Sequence, residues 1–256
     1  MSKPSSPRYA VECDEDGSEL GRFATMNGLF ARVGATGGSQ RLTLRDGSIA
    51  PALQKVAGRA LPRPLGNLHI VILDRDGRAI GRYFLADVRL SSAEPNRAGL
   101  WNIILLVPLV RSRPGTARIW ERFAMDQPRS RNAWAELPPA GQRAWLDVVR
   151  LRSAAMPPPV DAPPGTVFEL DARLVTNRAG FFCALGEAVN GPGGYFGADA
   201  DGLADCFAGG FGARPPFTLR WRVAKGDTPE AAAVRDGYED LLGTLRRHGV
   251  AIIGVS

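Results

Sequence analysis

Two carboxylates four residues apart, Asp201 and Asp205, stand in the run Tyr195-Phe-Gly-Ala-Asp-Ala-Asp-Gly-Leu-Ala-Asp-Cys206, directly after the glycine-rich Gly191-Pro-Gly-Gly194. A spacing of four puts both acids on one face of a helix. Leu203, Cys206 and Phe207 follow the i, i+3, i+4 spacing of an apolar stripe, so the same helix buries its other side. Only Ala204 and Ala208 neighbour the acids, which leaves the carboxylates open to approach. Such a face can accept charge-assisted hydrogen bonds from arginine and lysine side chains. That is the chemistry of recognition rather than of bond-making.

Other chemistries fail on residue type. The glycine-rich loop lacks the Gly-Lys-Ser/Thr ending of a phosphate cradle and has no lysine nearby. His69 and His248 are the only histidines, and neither sits in a Ser/Asp or metal-ligand pattern. Cys206 belongs to the buried stripe, where a thiolate nucleophile is disfavoured. With Cys13 and Cys183 it completes a set of three cysteines, too few and too scattered for a disulfide framework or a metal site. The expectation is a protein that is not an enzyme and needs no metal or cofactor.

The elements that would position the acidic helix are regular from Val167 onward. Phe168 to Val175 alternates as a strand, and Thr176 or Asn177 caps a helix that stops at Asn190-Gly191. After the acidic helix, Phe217 to Val223 forms a second strand. Pro229 starts a helix through Leu245 that ends near Gly249, and Val250 to Val255 closes the chain as an apolar strand. Strand–helix–helix–strand–helix–strand predicts a small α/β domain: a three-stranded parallel sheet covered by helices, joined by right-handed crossovers.

The spaced pattern Tyr195-Phe-Gly-x-Asp-x-Asp-x-Leu-x-Asp-Cys206, followed after ten residues by Phe217-x-Leu-x-Trp221, resembles the barstar family, intracellular inhibitors of the ribonuclease barnase. The resemblance covers about residues 166–256. It implies a protein inhibitor that occludes the active site of a barnase-like ribonuclease, as an immunity protein or antitoxin. Such an active site gathers cations to hold phosphates, and an inhibitor can present carboxylates where phosphates would sit. Carried over by position, Asp205 is the principal phosphate mimic, Asp201 its acidic neighbour and Tyr195 the aromatic anchor. Phe196 and Gly197 shape the backbone beside it, and Asp199 takes a polar position or caps the helix. Two positions depart from the family pattern. Ala204 stands where a tryptophan precedes the key aspartate, and Thr244 where an acidic residue falls late in the last helix. Both departures imply weaker binding or a different ribonuclease.

The first 164 residues have another character. Residues 165–256 carry 9 basic and 11 acidic side chains, so the net charge of +6 comes wholly from the earlier part. Met156 to Gly165 holds five prolines and reads as a stiff linker. The expected organisation is a basic α+β domain at 1–155, a linker at 156–165 and the α/β domain at 166–256. Two similar segments, Tyr9 to Phe23 and His69 to Tyr83, repeat Asp-x-Asp-Gly at an offset of 60 residues. Each reads as a β-hairpin around an Asp-Gly turn, and the pair as a duplication. A calcium loop is disfavoured, since its twelfth position is Thr25 in one copy and Leu85 in the other. Phe84 to Leu90 and Trp101 to Val110 read as strands, and Thr116 to Met125 and Pro138 to Ser153 as helices.

Arg111, Arg113, Arg118, Arg122, Arg129 and Arg131, with Trp120, Phe123 and Trp134 among them, offer an alternative function: a nucleic-acid-binding regulator acting through the basic half. No apolar run reaches the roughly 18 residues of a membrane span, and the first residues lack a signal-type segment. With so few cysteines, the chain reads as cytoplasmic.

Overall fold

The computed structural model describes residues 6–30, 39–110, 112–126 and 128–255. Arg111 and the first five residues, both used in the sequence reading, lie outside that set. The chain divides into two compact units, Met1–Asp126 and Gln127–Ser256.

In the first unit, β1 (Tyr9–Cys13), β2 (Glu19–Asn27), β3 (Ser39–Ile49), β4 (Arg63–Leu73), β5 (Ala79–Pro95) and β6 (Trp101–Pro108) close an antiparallel barrel in the order β1-β2-β3-β6-β5-β4. Helix α1 (Pro51–Ala57) follows β3, and α2 (Thr116–Ala124) lies beyond β6. Inward positions alternate along the strands. Leu42 and Leu44 of β3, Ile70 and Ile72 of β4, and Ile103 and Leu105 of β6 are all buried. Both expected hairpins form, β1–β2 and β4–β5. Their aspartates serve the turns themselves: Asp16 accepts the Ser18 N–H, and Asp74 accepts those of Asp76 and Arg78.

The offset of 60 extends further than the hairpins. It carries β1 onto β4, β2 onto β5 and β3 onto β6. Where the halves meet, pairing is reciprocal. Tyr9 lies opposite Ile72 and Glu12 opposite His69, and His69 and Ile72 are the counterparts of Tyr9 and Glu12. On the far side Thr43 faces Ile104 and Leu44 faces Ile103, again with counterparts exchanged. Exchange of this kind is the signature of a two-fold axis. The barrel is thus built of two similarly paired three-stranded halves related by an approximate two-fold.

The second unit holds α3 (Pro139–Ala155), β7 (Val167–Asp171), α4 (Arg178–Asn190), α5 (Ala200–Phe207), β8 (Phe217–Arg222), α6 (Pro229–Asp236), α7 (Glu239–Arg247) and β9 (Val250–Val255). The sheet is parallel in the order β7-β8-β9, as expected. Central β8 buries Leu219 and Trp221 completely. On that sheet Phe181 of α4, Trp221 and Tyr238 form a mutual aromatic cluster, with ring centroids 5.5 Å (Phe181–Trp221), 5.1 Å (Phe181–Tyr238) and 6.2 Å (Trp221–Tyr238) apart. Asn177 caps α4, accepting the N–H groups of Ala179 and Gly180.

One expectation is corrected here. The helix foreseen from Pro229 to Leu245 is two helices, because Gly237 adopts φ of +72° and ends α6 before α7 restarts. The two compact units meet at Asp126/Gln127, so α3 and the prolines both lie in the second unit. The segment after Asp126 is built into the α/β unit by polar contacts. Asn177 donates to the Gln142 side chain at 2.8 Å, which fixes α3 to the start of α4. The later part of the proline segment is bonded to the same unit: Ala162 N–H donates to Gly212 O and Gly165 N–H to Pro216 O. We refer to residues 156–165 as the proline strap.

Candidate functional site

Helix α5 is short, at eight residues, and cannot hold its shape by propensity alone. Its N-terminus is capped by Asp199, whose carboxylate accepts the Gly202 N–H at 2.8 Å. Leu203, Cys206 and Phe207 are buried, as their spacing predicts, and Asp201, Ala204 and Asp205 are exposed. Asp201 in the first turn faces the positive end of the helix dipole, which favours its charge. Asp205, a turn later, gains less from it. Neither acid has an ion-pair partner among the described residues.

Tyr195 stands beside this face. Its ring meets Phe211 edge-on at 6.3 Å between centroids, and its hydroxyl lies over Gly202, where a Cβ would come within 3.2 Å. Burial pushes its phenol up to about 12, with Cys206, Asp199 and Asp205 adding to the rise and Arg150 opposing it. The hydroxyl is therefore protonated across the physiological range and offers a neutral donor next to the acids. Phe196 is wholly buried against Phe207 and Phe217, so it supports the loop from inside. Gly197, also buried, has φ of +86°, and a Cβ there would come within 2.9 Å of the Leu203 backbone. Only glycine allows that approach.

Thr244 lies half-buried on α7, where its hydroxyl donates to Asp240 O and accepts from Arg247. Of the expected site residues, Tyr195, Asp201, Ala204 and Asp205 make up the accessible face. Phe196, Gly197 and Asp199 build it from behind. Cys206 is buried and its thiol is pushed up to about 12 by desolvation, which removes it as a nucleophile.

Three polar side chains that the sequence reading passed over brace this face. Asn190 at the end of α4 donates through Nδ2 to Tyr195 O and to Phe211 O, each at 2.8 Å, and so ties the loop before α5 to the loop after it. Asp161 in the proline strap accepts the N–H groups of Gly210 and Gly212. Glu187, only 2 % exposed, accepts the Asn132 N–H at 2.7 Å, the Trp134 indole at 3.1 Å and the Gly193 N–H at 3.3 Å. Burial raises its carboxyl above the ordinary range, and those three donors pull it partly back. One signal for it was visible: Glu187 is the single charge in the run from Ala179 to Val189.

Next to Tyr195 and Asp205 a cleft of about 390 Å³ opens within the second unit. Its other wall is Arg150, Ser153 and Ala154 of α3 with Met156, Pro158 and Pro159 of the strap.

The basic series fares differently. Trp120, Phe123 and Trp134 are buried, with Trp120 donating to the Tyr83 hydroxyl and Trp134 to Glu187. None of the three presents a ring on which a base could stack, so charge alone is left to that reading.

No helix is long and apolar enough to cross a membrane among the described residues. Among those residues no group of three or more His, Cys, Asp and Glu side chains could hold a metal ion. No curated protein and no solved structure matches the chain. Residues 165–250, the C-terminal part that carries the braced acidic helix and its parallel sheet, match the family model described as Barstar (barnase inhibitor).

Proposed function

We propose that this protein binds a barnase-like ribonuclease and blocks its active site, as an immunity protein or antitoxin acting inside the producing cell. The observation that carries the proposal is the exposed, unpaired pair Asp201 and Asp205 beside neutral Tyr195, within the region matched to the barstar family. A ribonuclease holds its substrate's phosphates with cations. Carboxylates on a rigid helix meet those cations at a low entropic cost, because the helix is already capped and braced before contact. Opposite charges also steer the encounter, so association is fast and sensitive to salt. Asp205 enters the phosphate site, Asp201 adds charge beside it, and Tyr195 packs its ring at the rim. Nothing in this reading asks the chain to make or break a bond.

The test is inhibition of RNA cleavage by barnase, using the full-length protein and its Asp205→Ala variant. Loss of two charge-assisted hydrogen bonds corresponds to about 3 kcal/mol or more, roughly a hundredfold or greater rise in Kd. Equal inhibition by wild type and variant would remove Asp205 from the contact. Absence of inhibition by the wild type would reject the proposed target.

A further inference from the structure

The cleft beside Asp205 has one wall that the family-matched region does not supply. Residues 165–250 contribute Tyr195, Gly202, Asp205 and Phe211, whereas Arg150, Met156, Pro158 and Pro159 come from α3 and the strap. That second wall is held in place. Gln142 fixes α3 to α4, and Asp161 bonds the strap to Gly210 and Gly212, immediately beside Phe211. Prolines in the strap lose little entropy on burial, since the segment is stiff before anything touches it.

Arg150 is the distinctive group in this wall. It is exposed and makes no ion pair among the described residues, yet it lies near enough to Tyr195 to act on the phenol. On a face meant for a cationic cleft, a lone guanidinium is repulsive unless the bound protein places a carboxylate against it. Ala204 has meanwhile given up the large contact expected at its position, and the apolar surfaces of Met156, Pro158 and Pro159 offer area close by.

We infer that α3 and the proline strap form the second wall of the ribonuclease-binding site, and that Arg150 selects the ribonuclease by pairing with a carboxylate on a loop that enters this cleft. The inference rests on the inhibitor reading above but adds a determinant outside the family-matched residues. It assigns a polar contact of opposite sign to that of Asp205, in the same cleft.

The sign of one substitution tests it. Full-length wild type, Arg150→Glu, Arg150→Lys and Asp205→Ala are titrated against barnase, with association and dissociation rates measured at two salt concentrations. Arg150 is exposed, so its variants keep the fold, which circular dichroism checks. If Arg150 faces a carboxylate, Arg150→Glu weakens binding about tenfold or more through faster dissociation, although its added negative charge improves steering. Arg150→Lys then stays within about threefold of wild type, because lysine keeps the charge. If Arg150→Glu binds equally well or more tightly while Asp205→Ala is weakened, the second-wall inference falls and the inhibitor reading stands. If wild type does not bind barnase, the inhibitor reading falls and takes the inference with it; if Asp205→Ala is not weakened, Asp205 leaves the contact and the second wall placed beside it falls.

Discussion

Removing the Glu187 carboxylate tests whether the segment after Asp126 and the loop before Tyr195 are held by one buried group. In Glu187→Ala the N–H groups of Asn132 and Gly193 and the indole of Trp134 lose their acceptor, Trp134 and Gly193 in the buried interior and Asn132 at a part-buried position. An orphaned buried donor costs about 1–3 kcal/mol, so the Trp134 bond alone gives about that much, with the part-buried Asn132 and the longer Gly193 contact adding to it. Together that is an appreciable part of the roughly 5–15 kcal/mol that stabilises a typical domain. Glu187→Gln is the control. Its carbonyl can keep the bonds from Asn132 and Trp134, its amide nitrogen faces the Gly193 N–H donor to donor, and it carries no buried charge. Loss of the third bond and relief of the ionisation cost oppose each other, so the change should stay within about 1 kcal/mol.

The pH dependence of the same pair has a defined sign. The Glu187 carboxyl titrates higher in the folded chain than in the unfolded one, so the folded state holds the proton more tightly. Its contribution is fully present below the unfolded value, near 4.5, and is lost as pH rises through the folded value. Asp171, Asp227, Glu230 and Asp240 are held low by arginines and give the opposite slope, so the informative quantity is wild type minus Glu187→Gln. Urea unfolding of the full chain across pH 4–8, followed by circular dichroism and by hydrogen exchange at residues 128–255, measures both effects. An alanine variant within 1 kcal/mol of wild type would refute the clamp. So would a glutamine variant as unstable as alanine, or an identical pH slope with and without the carboxyl.

Two further outcomes follow from particular atoms. Asp199→Ala removes the cap on α5 and should cost about 1 kcal/mol, seen as faster hydrogen exchange in residues 200–207, while Asp199→Ser keeps most of the stability. Gly81→Ala drives a Cβ to 2.1 Å from the Trp120 ring and should destabilise the barrel by about 1–3 kcal/mol in thermal unfolding, without changing ribonuclease inhibition.

The second unit was legible because its signals are local. Apolar alternation in β7 and β8, Asn177 as a cap and the stripe of α5 each follow from residues close in sequence. Gly237 misled because a glycine inside an apolar period reads as a tolerated interruption, whereas its positive φ ends the helix. The barrel was half visible: the repeated Asp-x-Asp-Gly turns gave two hairpins, but closure depends on pairing between β1 and β4 and between β3 and β6, which lie about 60 residues apart. Strand β3 was also disguised by Asp46-Gly47, a turn signal that here marks a bulge. A Cβ on Gly47 would come within 2.2 Å of the Phe23 ring, so packing rather than turning demands the glycine. Arg150 and Glu187 carried no motif. Each matters through neighbours distant in the chain, and a single sequence does not display those.

The acidic face shows how the unit tolerates a site that does nothing for its own fold. Asp201 and Asp205 share one side of an eight-residue helix, where like charges repel by a few tenths of a kcal/mol and no partner offsets the repulsion. What holds the helix is elsewhere: the cap at Asp199, the buried stripe of Leu203, Cys206 and Phe207, and the loops on either side joined by Asn190 and Asp161. Apart from the exposed cap at Asp199, these stabilising contacts lie away from the Asp201 and Asp205 carboxylates, so the acids are not needed to hold the helix. The same division extends to the strap, whose Asp161 faces inward to the loop while Pro158 and Met156 line the cleft. Changes at the accessible Ala204, Arg150 or Met156 should therefore cost the fold little, whereas a change at Asn190 or Glu187 alters the scaffold that holds the face in place.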